Sequence, residues 1–187
     1  MRNLKLILLL AAVGLSGASF AATLAGVTLP DTASVDGKPL TLNGIGLRTK
    51  FFFKIYVGGL YLERKADTPE AVLAQTGPDR IVMHMIYAVD KDQFADAWNE
   101  GFTDNNPGMH PSLQSSIAQF IGYFGESKNG DVITMDYIPG QGTQISWNGI
   151  VRGNIPGEDF HKALLNVFLG PKPPTESLKD GLLGKND

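Results

Sequence analysis

The sequence predicts an α+β domain in which helices pack on one face of an antiparallel sheet. Three observations support this fold class. Strand signals dominate between Val27 and Leu62, helical periodicities follow Asp90, and a hairpin pattern comes before the last helices. This order differs from the regular strand–helix alternation of parallel sheets, so we expect an antiparallel sheet with a ligand-sized cleft under its helices.

Residues 1–21 have the pattern of a cleavable signal peptide. Arg2 and Lys5 supply a positive start, an apolar run extends from Leu6 to Val13, and small residues lead to a cleavage position after Ala21. The apolar run is too short for a membrane span, which needs about 20 apolar residues. We therefore expect export to the periplasm, with secretion to the medium as the open alternative.

The remaining residues, 22–187, are expected to form one domain that is not an integral membrane protein. The chain has no cysteine, which excludes disulfides, thiolate metal sites and cysteine nucleophiles. The formal net charge of −3 becomes −5 when the two positive charges of the signal peptide are removed. Because the sequence contains no basic cluster, nucleic acid and anionic lipid are poor candidates for partners. The oligomeric state is left open.

Most enzyme templates are missing. The segment Gly44-Ile45-Gly46 lacks the third glycine and the following helix of a phosphate-binding loop. His84, His110 and His161 lack the spacing of a zinc site. We therefore expect neither a metal nor a cofactor.

Strands are predicted at four places. The Asp36-Gly37 pair favours a tight hairpin turn. Residues 51–62 are rich in aromatic and β-branched types, as in a buried strand, and residues 80–88 form another apolar strand. Residues 132–138 and 143–151 are expected to pair as a hairpin, the second of them with an alternation of period two.

Helices are predicted from caps and from a period of 3.6 residues. Asp90 can cap a helix, Pro111 can open a second, a third covers residues 158–169, and a short last helix covers about 175–183. The apolar stripe of the first helix consists of Phe94, Ala97, Trp98, Gly101 and Phe102. Gly170-Pro171 ends the third helix.

One segment combines cations with a strongly apolar β region. Arg48, Lys50 and Lys54 are interleaved with aromatic and aliphatic residues. Burying a guanidinium without a partner costs several kcal/mol, so an anion is expected wherever Arg48 enters a cleft. Tyr56 lies an even number of residues away and could give a second hydrogen bond to a carboxylate with an apolar tail. Alternatively, Arg48 and Lys50 lie in water at a hairpin end, with their stems covering aromatic surface.

The segment resembles the chalcone isomerase fold family, specifically its exported bacterial branch of chalcone isomerase-like proteins. The matching residues are Gly46-Leu47-Arg48 and residues 54–63, with further matches in residues 92–94 and 98–99 and in 160–170, then Pro173 and the segment 178–183. The resemblance implies an open-faced sandwich of sheet and helices. Each motif alone is too degenerate to identify a family, but the order and spacing of all of them make the resemblance specific.

The resemblance also implies site residues. The cleft arginine of the plant enzymes, which close a chalcone to a flavanone, is present as Arg48. The position of their threonine is occupied by Tyr56, and that of the tyrosine at their helix start is occupied by Phe94. Thr175 matches a polar cleft position only loosely, and capping of the last helix explains it equally well. In the fatty-acid-binding members of the fold, an arginine and a tyrosine hold the carboxylate, and Arg48 with Tyr56 matches that pair in residue type.

Three functional hypotheses follow. The leading one is a binding module for a small apolar carboxylate such as a fatty acid, without catalysis. The second is an isomerase or lyase of the same fold, in which Arg48 stabilises an oxyanion and Tyr56 donates a proton. The third is an envelope protein whose cleft is filled by its own side chains.

Overall fold

The computed structural model describes residues 21–185, so the predicted signal peptide lies outside the described residues apart from Ala21. A seven-stranded antiparallel meander forms the main sheet, in which every strand pairs with the next one along the chain. Its strands are β3 (Thr32–Val35), β4 (Lys38–Lys50), β5 (Phe53–Leu62), β6 (Asp79–Met85), β7 (Val132–Ile138), β8 (Gly142–Trp147) and β9 (Ile150–Ile155). Two short strands, β1 (Ala22–Leu24) and β2 (Val27–Leu29), form a separate ribbon.

Within residues 21–185, five helices accompany the sheet, and the sequence predicted four of them. They are α1 (Pro69–Leu73), α2 (Lys91–Asn105), α3 (Pro111–Ile121), α4 (Glu158–Leu169) and α5 (Glu176–Leu182). Asp90 caps α2 in a reciprocal capping box with Gln93, because each side chain bonds the other residue's backbone N–H. The short helix α1 was not predicted.

The helices pack on one face of the sheet, as the α+β prediction requires. Their buried side chains join the inward residues of the central strands in one large core, which includes Leu60, Met83, Phe102 and Phe168. The opposite face has a smaller core, partly covered by the β1–β2 ribbon, with Tyr61 among its members. Alternate residues of β5 therefore belong to different cores, as the period of two in a strand dictates.

Two hairpin turns follow the expected chemistry, and one of them was missed. Asp36-Gly37 joins β3 to β4 with both residues at positive φ, which confirms the prediction there. The predicted single strand 143–151 is wrong, because Asn148-Gly149 makes a second turn of this kind and a new strand begins at Ile150. The Asn-Gly pair itself was the signal for that turn.

The start of the predicted strand 51–62 is also corrected. Phe51 and Phe52 form the two-residue turn between β4 and β5, and the strand begins at Phe53. Their side chains are 86% and 100% exposed, and that of Phe53 is 53% exposed. The aromatic run is therefore a hairpin tip in solvent, and burial begins only at Ile55.

The last helix lies directly on β4, and glycines allow this close approach. A Cβ at Gly46 would come within 2.3 Å of the Leu178 carbonyl oxygen, and one at Gly181 within 2.2 Å of the Ile45 carbonyl oxygen. Backbone therefore meets backbone, and no larger residue fits without displacing the helix. The second half of β4, which carries Arg48, is thereby held between β5 and α5. Across residues 21–185, no helix is long and apolar enough to span a bilayer.

Candidate functional site: an unpaired arginine in a two-lobed cleft

Arg48 and Tyr56 are direct neighbours across the β4–β5 hairpin. They are partners in the strand register, so both side chains rise from the helix-covered face of the sheet. The guanidinium carbon lies 5.7 Å from the centre of the Tyr56 ring, within cation–π range. Tyr56 is fully buried and Arg48 is half-buried. The structure therefore brings together the two residues at the centre of the sequence prediction.

The Arg48 guanidinium has an unmet hydrogen-bonding need. Its Nε is buried and has no hydrogen-bond partner among the described residues. No acidic side chain of residues 21–185 forms an ion pair with it. A buried donor without an acceptor costs about 1–3 kcal/mol, and more when it is charged, so this arrangement favours an anionic ligand.

Two adjoining cavities meet at this arginine. Both are lined by Arg48, Tyr56, Phe94 and Ala97. The first, here called the helix lobe, has a volume of about 260 Å³, and the second, the hairpin lobe, has about 320 Å³. Together they fall within the range of about 300–1,000 Å³ that is usual for small-molecule sites. The cleft is therefore open space, which disfavours the hypothesis of a cleft filled by its own side chains.

The helix lobe lies between the sheet, α2 and α4. Its apolar wall includes Met83, Trp98 and Phe168. At its rim, Lys172 Nζ lies 3.4 Å from Asp104 Oδ2, so these two charges compensate each other. The rim pair does not neutralise Arg48.

The hairpin lobe extends from Arg48 towards the β4–β5 turn. Its wall includes Phe53, Met85 and Tyr87. Lys50 also lines it, and no acidic residue does. This lobe therefore combines positive charge at one side with an apolar aromatic lining, which suits a carboxylate with a hydrocarbon tail.

Trp98 is a site residue that sequence reasoning placed only in the core. It is buried as predicted, but it also lines the helix lobe, and its indole Nε1 is buried without an acceptor in residues 21–185. Buried indole N–H groups usually find a partner. Trp98 and Arg48, which both line the helix lobe, thus each carry one buried donor without an acceptor in residues 21–185. The helical stripe predicted which face Trp98 occupies, whereas its missing acceptor is visible only in three dimensions.

The Tyr56 phenol is held in its neutral form. Burial raises the pKa of Tyr56 above its ordinary value, and the positive charge of Arg48 opposes this only in part. At neutral pH the group is therefore a hydrogen-bond donor and not an anion. The neutral phenol of Tyr56 therefore does not balance the positive charge of Arg48.

Phe94 contributes shape and no polar group. It is buried, lines both lobes and packs against Phe124 with ring centres 5.3 Å apart. The resemblance places the catalytic phenol of the plant enzymes at this position. With phenylalanine here, the hydroxyl that would hold a reacting water is missing.

Thr175 lies outside both lobes and caps α5. Its hydroxyl accepts a hydrogen bond from the Leu178 backbone N–H at 3.3 Å and donates one to the Leu47 carbonyl oxygen at 3.2 Å. The second bond ties the start of α5 to the residue before Arg48. Among the four predicted site residues, the structure thus gathers Arg48, Tyr56 and Phe94 around one cleft and leaves Thr175 outside its lining, at the start of α5.

A second buried polar cluster has no cavity of this kind. His161 Nε2 lies 2.8 Å from Asp79 Oδ2, and the Tyr137 ring stacks on the imidazole with centres 3.8 Å apart. Burial raises the pKa of Asp79, and the hydrogen bond from His161 opposes this rise. None of these three residues lines either lobe. We assign this cluster to the support of the sheet and α4.

Comparison with known proteins identifies the family and the fold. The sequence profile described as chalcone isomerase-like matches residues 21–184. The chain belongs to the chalcone isomerase-like family. The family match covers every element that builds the cleft, including both strands of the β4–β5 hairpin and the last helix.

A solved structure shows the same fold for this member of the chalcone isomerase-like family. It is the crystal structure of a fatty-acid binding protein from Arabidopsis thaliana, with a TM-score of 0.65 and 12% sequence identity. The alignment covers 88% of this chain and 96% of the plant chain. At this identity the likeness establishes the fold. No curated protein matches the sequence.

Proposed function

We propose that this chalcone isomerase-like protein binds a small apolar carboxylate, such as a fatty acid, without transforming it. The observation that carries the proposal is the buried, unpaired Nε of Arg48 beside an open apolar cleft. A carboxylate there would satisfy a charged donor that no described residue satisfies. The fold is shared with a fatty-acid binding protein, which agrees with this chemistry.

The two lobes suggest how the ligand lies. Arg48 lines both lobes, and no acidic residue lines the hairpin lobe, so the proposed carboxylate lies at the junction beside Arg48. The hairpin lobe has the larger volume and an aromatic and aliphatic wall, so it receives the hydrocarbon tail. Phe94 lines both lobes and separates the head from the tail.

The binding proposal is tested by removing only the charge of Arg48. Delipidated wild-type protein is expected to bind a long-chain fatty acid in calorimetric titration, and Arg48→Gln is expected to lose about 10- to 150-fold in affinity. This range corresponds to the roughly 1.5–3 kcal/mol of a hydrogen bond to a charged group. Lys54→Gln, which removes an exposed cation from β5, is the matched control and should retain affinity.

A fatty alcohol of the same chain length separates the head from the tail. Its binding should be weaker in the wild type and unchanged by Arg48→Gln, because it carries no negative charge. Equal fatty-acid affinity in wild type and Arg48→Gln would contradict the proposal. Turnover of a chalcone panel that is abolished by Arg48→Ala would replace it with the isomerase hypothesis.

We also propose that the protein is exported and that its mature form begins at Ala22. The support is the charged, apolar and small-residue pattern of residues 1–21. Mass spectrometry of protein from the periplasmic fraction is expected to give the mass of residues 22–187. Full-length protein found only in the cytoplasmic fraction would refute export.

A further inference from the structure

The β4–β5 turn carries an unusual exposed surface, here called the aromatic tip and comprising residues 50–54. It consists of three consecutive phenylalanines between Lys50 and Lys54. The side chain of Phe52 is 100% exposed, and Phe53 packs its ring 5.2 Å from that of Tyr87. Large apolar side chains gathered at the surface mark interaction sites more often than chance placement.

The backbone of the tip differs from the two turns of the main sheet in which a polar residue precedes glycine. The Asp36-Gly37 and Asn148-Gly149 turns place small polar residues and glycine at positive φ. The aromatic tip places Phe51 at φ 55° instead. A bulky residue in this region is strained, so the local backbone does not favour phenylalanine here. The aromatic side chain must therefore be explained by something other than the turn.

The turn itself is positively charged. Residues 48–56 contain three cations and no acidic residue. The formal net charge of the chain without its predicted signal peptide is nevertheless −5, that is −3 minus 2, and this balance made anionic lipid a poor candidate on sequence alone. Lys50 and Lys54 are exposed on either side of the phenylalanines. Cations beside protruding aromatic rings complement an anionic lipid surface, where the rings enter the interface and the ammonium groups meet the headgroups.

The remaining exposed hydrophobic residues lie at the same end of the sheet. In residues 21–185, the other large exposed apolar side chains are Tyr87, Ile150 and Val151. The strand register puts the start of β5, the end of β6 and the start of β9 at one end of the meander. One end of the sheet thus carries all the exposed large hydrophobic side chains of the described chain.

We propose that this end docks on the surface of an anionic phospholipid bilayer, with the aromatic tip inserted at the level of the headgroups. A convex tip suits a fluid interface, whereas a protein partner would need a preformed pocket for it. Lys50, Phe51, Phe53 and Tyr87 also line the hairpin lobe, so docking brings the mouth of that lobe to the lipid. Exchange of a fatty acid between bilayer and cleft rests on the proposed function, whereas docking does not.

The test uses the mature protein and sedimentation with phosphatidylcholine vesicles, with or without phosphatidylglycerol. Wild type is expected to bind the anionic vesicles and to be released by salt. Phe52→Ser should lower binding about tenfold, since it removes a fully exposed apolar ring. Lys50→Gln and Lys54→Gln should each lower it about fivefold. Lys38→Gln, at the first residue of β4 and so at the opposite end of that strand, is the matched control and should bind as wild type does.

Phe52 does not line either lobe, so its substitution separates docking from ligand binding. Phe52→Ser is expected to keep its affinity for fatty acid in solution while losing the vesicles. Phe52→Trp should bind vesicles and shift its tryptophan emission to the blue on doing so. Unchanged vesicle binding of Phe52→Ser, or equal binding to neutral and anionic vesicles, would overturn the proposal. So would a dimer of the wild type in solution that Phe52→Ser dissociates, because the tip would then be an interface between two copies.

Discussion

Each face of the sheet carries a half-buried arginine, and the two arginines are satisfied differently. Arg80, on the face away from the helices, makes a two-pronged contact with Asp136, its register partner on β7, at 2.5 and 2.6 Å. Arg48, on the helix face, has Tyr56 as its register partner and leaves Nε without an acceptor among the described residues. The Arg80 guanidinium is therefore paired within the fold, whereas the Arg48 guanidinium has no internal carboxylate partner among the described residues.

The difference between the two arginines lies in whether an internal carboxylate satisfies the guanidinium. A guanidinium forked onto an internal carboxylate has its charge and its donors satisfied, so it needs nothing from outside. Arg48 has no internal carboxylate to balance its charge, and its buried Nε has no acceptor among the described residues. The two sites share a sheet, a residue type and a nearby tyrosine, and only the presence of an internal acid separates them.

The largest expected effect on stability comes from removing the carboxylate partner of Arg80, which leaves Arg80 unpaired as Arg48 is. Asp136→Asn removes the negative charge that satisfies Arg80 and is expected to lower the free energy of unfolding by about 2 kcal/mol. This is less than the 3–5 kcal/mol of a fully buried pair, because Arg80 is partly exposed.

Arg48→Met is the matched control for that experiment, since it removes a cation that has no internal partner. Its unfolding free energy in urea should lie within about 1 kcal/mol of the wild type, or above it. A loss as large as that of Asp136→Asn would mean that Arg48 is a framework residue, and the contrast between the two faces would fail.

A smaller effect concerns the tyrosine near the satisfied arginine. Burial raises the pKa of Tyr61 to about 12, and its hydroxyl donates a hydrogen bond to the Pro30 carbonyl oxygen at 2.8 Å. Because the folded pKa lies above the unfolded value, this contribution is complete below pH 10 and is lost as the pH rises towards 12. The wild type should therefore lose stability over this window, with a share on the order of 1 kcal/mol from Tyr61.

Tyr61→Phe tests this assignment through the slope of stability against pH. The variant loses a hydrogen bond and is less stable at every pH, so its absolute stability decides nothing. Its unfolding free energy should fall less steeply than that of the wild type between pH 10 and 12, as measured by urea unfolding. Parallel curves would show that another group carries the alkaline transition.

Much of the fold followed from local chemistry. The bounds of α4 match the predicted 158–169, because an apolar stripe and a Gly-Pro stop define them within the helix itself. The caps of α2 and α5 at Asp90 and Thr175 are likewise local hydrogen bonds. Such features need only neighbouring residues, and the sequence contains all of them.

The errors arose where an aromatic or alternating pattern was compatible with more than one environment. The run 51–53 looked like a buried strand, because phenylalanine favours strands and interiors alike, yet it turns in solvent. The alternation of residue types in 143–151 runs through the Asn148-Gly149 turn, yet the faces exchange there, because Trp147 pairs with Ile150 and Ser146 with Val151. Burial depends on what packs above a strand, which a local pattern does not record.

The site was predicted in part for the same reason. The sequence prediction placed Arg48 and Tyr56 together by their even spacing in one strand. They are adjacent for another reason: a two-residue turn lies between them, and a register shift between Arg48 and Thr49 brings Arg48 opposite Tyr56. The volume of the cleft depends on how far α2 and α4 stand from the sheet. That distance is decided by contacts between residues far apart in sequence, so neither the two lobes nor the orphan N–H of Trp98 could be foreseen.

The hydrogen bonds between the region of the last helix and β4 have a consequence for how the protein folds. Thr175 bonds the Leu47 carbonyl across 128 residues of sequence, and Asn43 bonds the Leu182 carbonyl across 139. The strand that presents Arg48 therefore lies far ahead in sequence of the segment that covers it, and its glycine-rich surface stays uncovered until that segment has docked. Pairings this distant in sequence form slowly, and unpaired strands favour aggregation in the meantime. The wall of the cleft formed by β4 accordingly depends on contacts that only the last helix supplies.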